Sequence, residues 1–311
     1  MMKKQLLELR GIITVLNTPF GDNDAVDLPS LRKNVRYALE AGVAGFLVPA
    51  MASEVDKLSA TERRQIVGVV LAENSGQVPV IGGASAATAE ERKENAATLI
   101  EQGCDGILAS IPFLNEVQYE REVRELDRLK PGFLMLQDWD FQGGGLPVSM
   151  IARLFEEVES FRCLKVEVVP AGVKYSEVLA ATEERLHVSG GWAVMQIVEA
   201  LDRGVHAFMP TGMHELYTRI YDLYRAGQRA EARVLFEQIV PVLAFANQHL
   251  DISVHFFKRL LHEQGIYATP RVREPILPFD PAHEKIAQEL IAKTLDLCRQ
   301  IRKPTRGGNK K

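Results

Sequence analysis

The chain has 311 residues, of which 46% are hydrophobic and 25% are charged. That apolar share supports a large buried core and excludes a disordered or fibrous chain. With 37 basic against 41 acidic residues the formal charge is −4, so nothing draws the chain to phosphate backbones or to an anionic membrane, and neither partner is expected.

Three cysteines, Cys104, Cys163 and Cys298, lie far apart and include no CxxC pair. The spacing predicts neither a disulfide framework nor a cysteine-rich zinc site, and fits a reducing cytoplasmic setting. The residues up to Arg10 lack the apolar run of a signal peptide. No uninterrupted apolar stretch approaches the ~20 residues of a membrane span.

In chain order, short apolar runs alternate with longer amphipathic stretches. The runs are Gly11 to Leu16, Gly45 to Val48, Val78 to Gly82, Gly106 to Ala109, Gly132 to Leu136, Arg162 to Val166, Arg185 to Ser189 and His206 to Met209. Each is short, apolar and close to Gly or Pro, as a fully buried parallel strand should be. Helical patterns fall at Leu31 to Ala41, Ser59 to Glu73, Ala89 to Glu101 and Pro147 to Glu159; Ser59 with Glu62 predicts a capping box.

Eight such repeats predict an α/β fold, a closed (β/α)8 TIM barrel, with a doubly wound open sheet as the alternative. No G-x-G-x-x-G follows any strand, and Gly143-Gly144-Gly145 lacks that spacing. After the eighth strand only helical patterns remain, so the chain divides into a barrel over 1–225, a C-terminal helical extension over 226–302 and a disordered tail over 303–311.

Lys165 stands inside an apolar run, near the C-terminal end of the sixth predicted strand, where barrel active sites lie. A desolvated lysine favours the neutral amine, which condenses with a ketone or aldehyde to give a Schiff base. The bland alternative is a strand-end lysine that snorkels outward or pairs with Glu167 on the same face.

With those residues in view, the chain resembles the dihydrodipicolinate synthase / N-acetylneuraminate lyase family of class I pyruvate aldolases and dehydratases. The likeness runs from Arg10 to about Ile301: Thr18-Pro19-Phe20 ends the first strand, Gly45-Phe46-Leu47-Val48 leads to Glu54 and Leu58-Ser59, and Gly82-Gly83 closes the third strand. It continues through Gly103-Cys104-Asp105-Gly106 to Pro112, and Cys163-Leu164-Lys165 matches the strand of the Schiff-base lysine. The resemblance implies a lyase acting on pyruvate or a 2-keto acid through Lys165, without a cofactor or metal, in a homo-oligomer (tetramer or dimer).

Several family positions are altered. Met51 and Ala52 stand where the family carries two hydroxyl residues, Gln137 where it carries the tyrosine over the imine, Leu114 for a second tyrosine and Gln142 for a carboxylate-binding arginine. The lysine-biosynthetic synthase itself is therefore not expected. Backbone amides of Ala52 and Ser53 are candidates for the keto-acid carboxylate, with Gly190 and Met209 as further substrate contacts. Asp138 is the first choice as proton carrier, although on an ideal strand it points away from the imine; Glu167, Glu54 and Ser53 follow.

Trp139, Phe141, Phe113 and Trp192 suggest an aromatic mouth suited to a substrate less polar than a sugar acid, against the alternative that they pack helices. Seven histidines form no metal-binding pattern, and His214 and His262 are expected to face solvent. Thr211-Gly212 offers a weak phosphate cradle. Two readings stay open: a Schiff-base lyase, or a barrel of the same family that binds a small ligand without turnover.

Overall fold

The computed structural model describes residues 9–302, leaving aside the side chains at 192 and 193. Eight parallel strands close into a barrel in sequence order: β1 (Gly11–Val15), β2 (Gly45–Leu47), β3 (Val80–Gly83), β4 (Gly106–Ser110), β5 (Leu134–Asp140), β6 (Phe161–Val168), β7 (His187–Gly190) and β8 (Ala207–Phe208). β8 pairs with β1 through Gly11–Ala207 and Ile12–Phe208, which removes every sheet edge. The open-sheet alternative is thereby excluded.

Helices α1 (Leu28–Glu40), α2 (Ala60–Asn74), α3 (Ala89–Gln102), α4 (Glu116–Asp127), α5 (Val148–Glu157), α6 (Ala171–Ala181), α7 (Ile197–Asp202) and α8 (His214–Arg225) surround the barrel. Their starts follow sequence chemistry. Ser59 accepts from the Glu62 amide while Glu62 reaches back to the Ser59 amide, and Thr88 with Glu91 repeats the capping box on α3. Outward strand residues such as Ile12, Phe46 and Val80 join the helices in one large core, and inward ones such as Ile13, Leu47, Ile81 and Met135 fill the barrel in another.

Beyond the barrel come α9 (Arg229–Ala246), α10 (Leu250–Glu263) and α11 (Pro281–Arg302). The Tyr267 hydroxyl donates to Asn17 O at 2.7 Å and so ties the segment after α10 to the barrel mouth. The expected tail at 303–311 lies outside the described residues, as do residues 1–8.

Two strands run longer than their apolar runs suggest. β5 continues through Gln137-Asp138-Trp139-Asp140 and β6 through Glu167-Val168, paired residue for residue. Lys165 therefore sits mid-strand, with Glu167 one pleat further along. Polar residues hid both extensions: Gln137 and Glu167 find partners inside the barrel mouth, while Asp138 finds Lys174 and the Leu146 amide on the helix side.

Candidate active site

Lys165, on β6, is aligned with Gln137 on β5 and Ser189 on β7. The pleat puts Lys165 and Glu167 on one face, and the lysine Nζ lies 3.0 Å from Glu167 Oε2. Gln137 Nε2 donates to the same carboxylate oxygen. All three are buried; Lys165 is 7% exposed and Glu167 9%. Gly191, just beyond β7, makes room for them: a Cβ there would lie 1.9 Å from Glu167 Oε1 and 2.6 Å from Lys165 Cε.

The group faces a cavity of about 540 Å³, within the usual range for small-molecule sites. The barrel's strand ends and loops supply one wall through Ala52, Trp139, Gly191 and Met209, and the α9–α10 segment supplies the other through Asn247, His249, Ser253 and Phe257. That second wall escaped sequence reasoning. Its residues read as ordinary helix positions, and only the packing of the extension over the barrel mouth brings them to Lys165.

The loop after β2 is held from below. Asn17 Nδ2 donates to Ala52 O and the Thr18 hydroxyl to Ser53 O, both at 2.7 Å. Glu54, in the left-handed region at φ 56°, turns its carboxylate to Lys258 on α10, to Lys57 and to the Arg273 amide. Burial lowers the Lys258 ammonium to about 8, against the pull of Glu54.

The combination of a closed barrel, a buried lysine on β6 and a cavity above it can be set beside known proteins. The sequence profile of the Dihydrodipicolinate synthetase family matches residues 8–294. The chain belongs to this family. Its relatives include the L-2-keto-3-deoxyarabonate dehydratase of Azospirillum brasilense, 24% identical over 88% of this chain and 90% of that protein. Among solved structures, dihydrodipicolinate synthase from Rhodopseudomonas palustris superposes with TM-score 0.84 at 20% identity, over 92% of this chain and 98% of the other. N-acetylneuraminate lyase from Fusobacterium nucleatum, complexed with pyruvate, gives 0.82 at 19% identity over 95% and 100%. Membership in the dihydrodipicolinate synthetase family supports a lyase, an aldolase or dehydratase that depends on pyruvate.

The structure sorts the residues nominated from sequence. Ala52 and Met209 line the cavity. Gly190 lies within β7, its carbonyl accepting from Met209 N at 2.9 Å, and the next residue, Gly191, is the one at the cavity. Ser53 does not present a hydroxyl: its Oγ donates to Leu16 O at 2.6 Å and accepts from the Ala50 amide, while its own amide donates to Ala50 O. Glu54 anchors its loop.

Asp138 requires a correction. Alternation along β5 turns it away from Lys165, toward α6, where it accepts from the Leu146 amide at 2.8 Å and pairs with Lys174 at 3.2 Å. Burial raises its pKa, with Lys174 opposing. Lys174 also donates to Gly144 O and Leu146 O, so the glycine-rich loop is clamped to α6.

Trp139 and Phe141 border the cavity in an edge-to-face pair, ring centroids 5.8 Å apart at 78°. Phe113 lines a neighbouring opening, and the side chain of Trp192 lies outside the described residues. His214 does not face solvent: it is 1% exposed, between the Thr14 hydroxyl and Asn34 Oδ1, each at 3.1 Å. Because Asn34 Oδ1 can only accept, Nε2 of His214 carries the proton and Nδ1 accepts from Thr14. His262 is half-buried, with Nδ1 against Tyr267 O.

The Thr211 hydroxyl donates to Val15 O, and Phe257 packs against Gly212, which leaves that turn structural. Among the described residues no three His, Cys, Asp or Glu side chains gather as a metal site, and no helix is long and apolar enough to cross a membrane.

Proposed function

We propose that the protein is a lyase of the aldolase or dehydratase type that acts on pyruvate or a 2-keto acid through a Schiff base on Lys165. The observation that carries this reading is the Lys165–Glu167 pair, buried beside a cavity of about 540 Å³. A carboxylate beside the lysine can take the ammonium proton, so that the free amine attacks the 2-keto carbon, and can then deliver that proton to the carbinolamine hydroxyl, which leaves as water and yields the iminium. The resulting iminium withdraws electrons from the third carbon, where aldol cleavage and dehydration both begin.

In this reading Glu167 carries the proton in place of the family's tyrosine, and the Gln137 amide orients its carboxylate. The Ala52 backbone, at the cavity and on a loop pinned by Asn17 and Thr18, receives the keto-acid carboxylate. The relative named for 2-keto-3-deoxyarabonate and the lyase complexed with pyruvate support the same substrate class. Three free, buried thiols accord with a cytoplasmic setting.

Borohydride reduction in the presence of pyruvate tests the proposal. One reduced-pyruvate adduct on Lys165 is expected, absent in Lys165→Ala; an unmodified wild-type chain refutes it. The replacement of the family tyrosine by Gln137 keeps a second reading, ligand binding without catalysis. Adduct formation without turnover of any 2-keto acid would select it.

We also propose a homo-oligomer, dimer or tetramer, because Phe113, Leu114 and Val117 leave apolar surface exposed around the start of α4. Light scattering at the mass of one chain at micromolar concentration would overturn this.

A further inference from the structure

Three polar side chains that line the cavity are left unspent. Asn247, the residue just after α9, has its Nδ2 buried there with no hydrogen-bond partner. Its backbone amide already donates to Leu243 O at 2.9 Å, so the fold uses the main chain and leaves the carboxamide over. Ser253, on α10, is 7% exposed and lines the same wall; its amide donates to His249 O, but among the described residues no hydrogen bond engages its hydroxyl. Tyr217, on α8, is 1% exposed at the cavity, and among the described residues its hydroxyl is likewise unpaired.

Elsewhere the lining is occupied. The Thr211 hydroxyl donates to Val15 O, Gln248 Nε2 donates to Phe245 O, and Lys165 pairs with Glu167. The hydroxyls of Tyr119 and Tyr175 are also unpaired, but neither residue lines this cavity. A buried donor without a partner has given up its hydrogen bond to water, so a donor at a cavity wall is satisfied by what fills the cavity. Burial also raises the Tyr217 pKa, which keeps the phenol neutral and able to donate. Lys165 and Glu167 are the only Lys, Arg, Asp or Glu among the described lining residues, so the three groups suit an uncharged acceptor oxygen.

We propose, resting on the Schiff-base reading above, that Asn247, with Tyr217 and Ser253, is a specificity determinant. These residues form a second subsite that holds an uncharged oxygen on the part of the ligand remote from the imine. Two of the three belong to the helical extension, so the extension does more than roof the barrel: it discriminates among 2-keto acids. The discrimination comes from desolvation. A ligand that places a methylene against Asn247 Nδ2 leaves the donor unpaired, and one that places an oxygen there pairs it. Pyruvate, with nothing beyond its third carbon, makes no use of the subsite.

The test follows borohydride trapping on the full chain against concentration, for pairs of 2-keto acids that differ only by an ether oxygen in place of a methylene. The pairs are 5-methoxy-2-oxopentanoate with 2-oxoheptanoate, and 6-methoxy-2-oxohexanoate with 2-oxooctanoate. None carries a hydroxyl on its fourth carbon, so none is cleaved or dehydrated during the assay. In at least one pair the ether should reach half-maximal trapping at about tenfold lower concentration, the factor that one hydrogen bond to a buried donor supplies. Asn247→Ala should abolish that advantage, and Tyr217→Phe, which keeps the ring, should reduce it and serves if the first variant does not fold. A purely structural role would weaken both members of a pair alike and leave their ratio intact. Equal trapping within both pairs by the wild-type chain, or a ratio that survives the substitutions, overturns the subsite. Trapping of pyruvate on Lys165 in the same preparation then leaves the Schiff-base reading standing, and a chain that pyruvate does not modify loses both.

Discussion

Two buried lysine–glutamate pairs occupy opposite ends of one functional question. Lys258 and Glu54 join α10 to the loop after β2: the ammonium is 0% exposed, lies 4.2 Å from the centre of the Phe20 ring and also donates to Arg271 O, while the carboxylate takes Lys57 and the Arg273 amide as well. Lys165 and Glu167 are also buried, though less completely, and open onto a cavity, with Gln137 as the carboxylate's further donor. The Lys174–Asp138 pair resembles the first, since Lys174 also spends itself on two backbone carbonyls. A buried lysine is thus structural when packing and carbonyls use up its donors. It becomes a candidate nucleophile when one exchangeable carboxylate and empty space adjoin it.

The comparison breaks most readily at the structural pair. Lys258→Met should cost about 3–5 kcal/mol of unfolding free energy, because Glu54 is left buried with a weaker set of partners; denaturant midpoints measure it. A loss below about 1 kcal/mol would mean that the pair contributes no more than an exposed one. On the catalytic side, Glu167→Gln should lower kcat by about 10²–10⁴ while slow borohydride trapping at Lys165 persists. Undiminished turnover would move the proton carrier elsewhere.

Acid sharpens the contrast between the site and the buried histidines. Burial lowers His187, His206 and His214 from 6.5 to about 3, 4 and 3. Between those values and 6.5 the unfolded chain binds protons that the folded chain refuses. The histidine contribution to stability is therefore complete above pH 6.5 and lost as pH falls toward 4. From pH 7 to 5 the expected loss is roughly 2 kcal/mol per histidine, read from urea midpoints. A flat profile would mean that these rings protonate in place. The smallest effect is expected at Asp138: Asp138→Asn should leave turnover at the wild-type level and cost about 1–3 kcal/mol of stability. Abolished turnover with intact folding would return Asp138 to the reaction.

Much of the fold was legible because barrel strands are buried on both faces and announce themselves as short apolar runs, such as Gly106 to Ala109, with capping signals as plain as Ser59 and Glu62. Lys165 was legible for the same reason: a cation inside such a run is conspicuous. His214 was not, since its polar partners, Thr14 and Asn34, come from β1 and α1, far away in sequence.

By itself, then, the sequence determined the eightfold alternation, the helical extension and the lysine, because these depend on local periodicity and on one residue out of keeping with its neighbours. Tertiary structure decided which way each polar residue points and what it meets. The extra pleats of β5 and β6 turned Asp138 toward Lys174 and gave Glu167 to Lys165, and the packing of α9 and α10 over the mouth made Asn247, His249 and Phe257 a wall of the cavity. Both outcomes depend on contacts between segments distant along the chain, where the free energy of a polar or aromatic group is set by its surroundings and no local pattern records it.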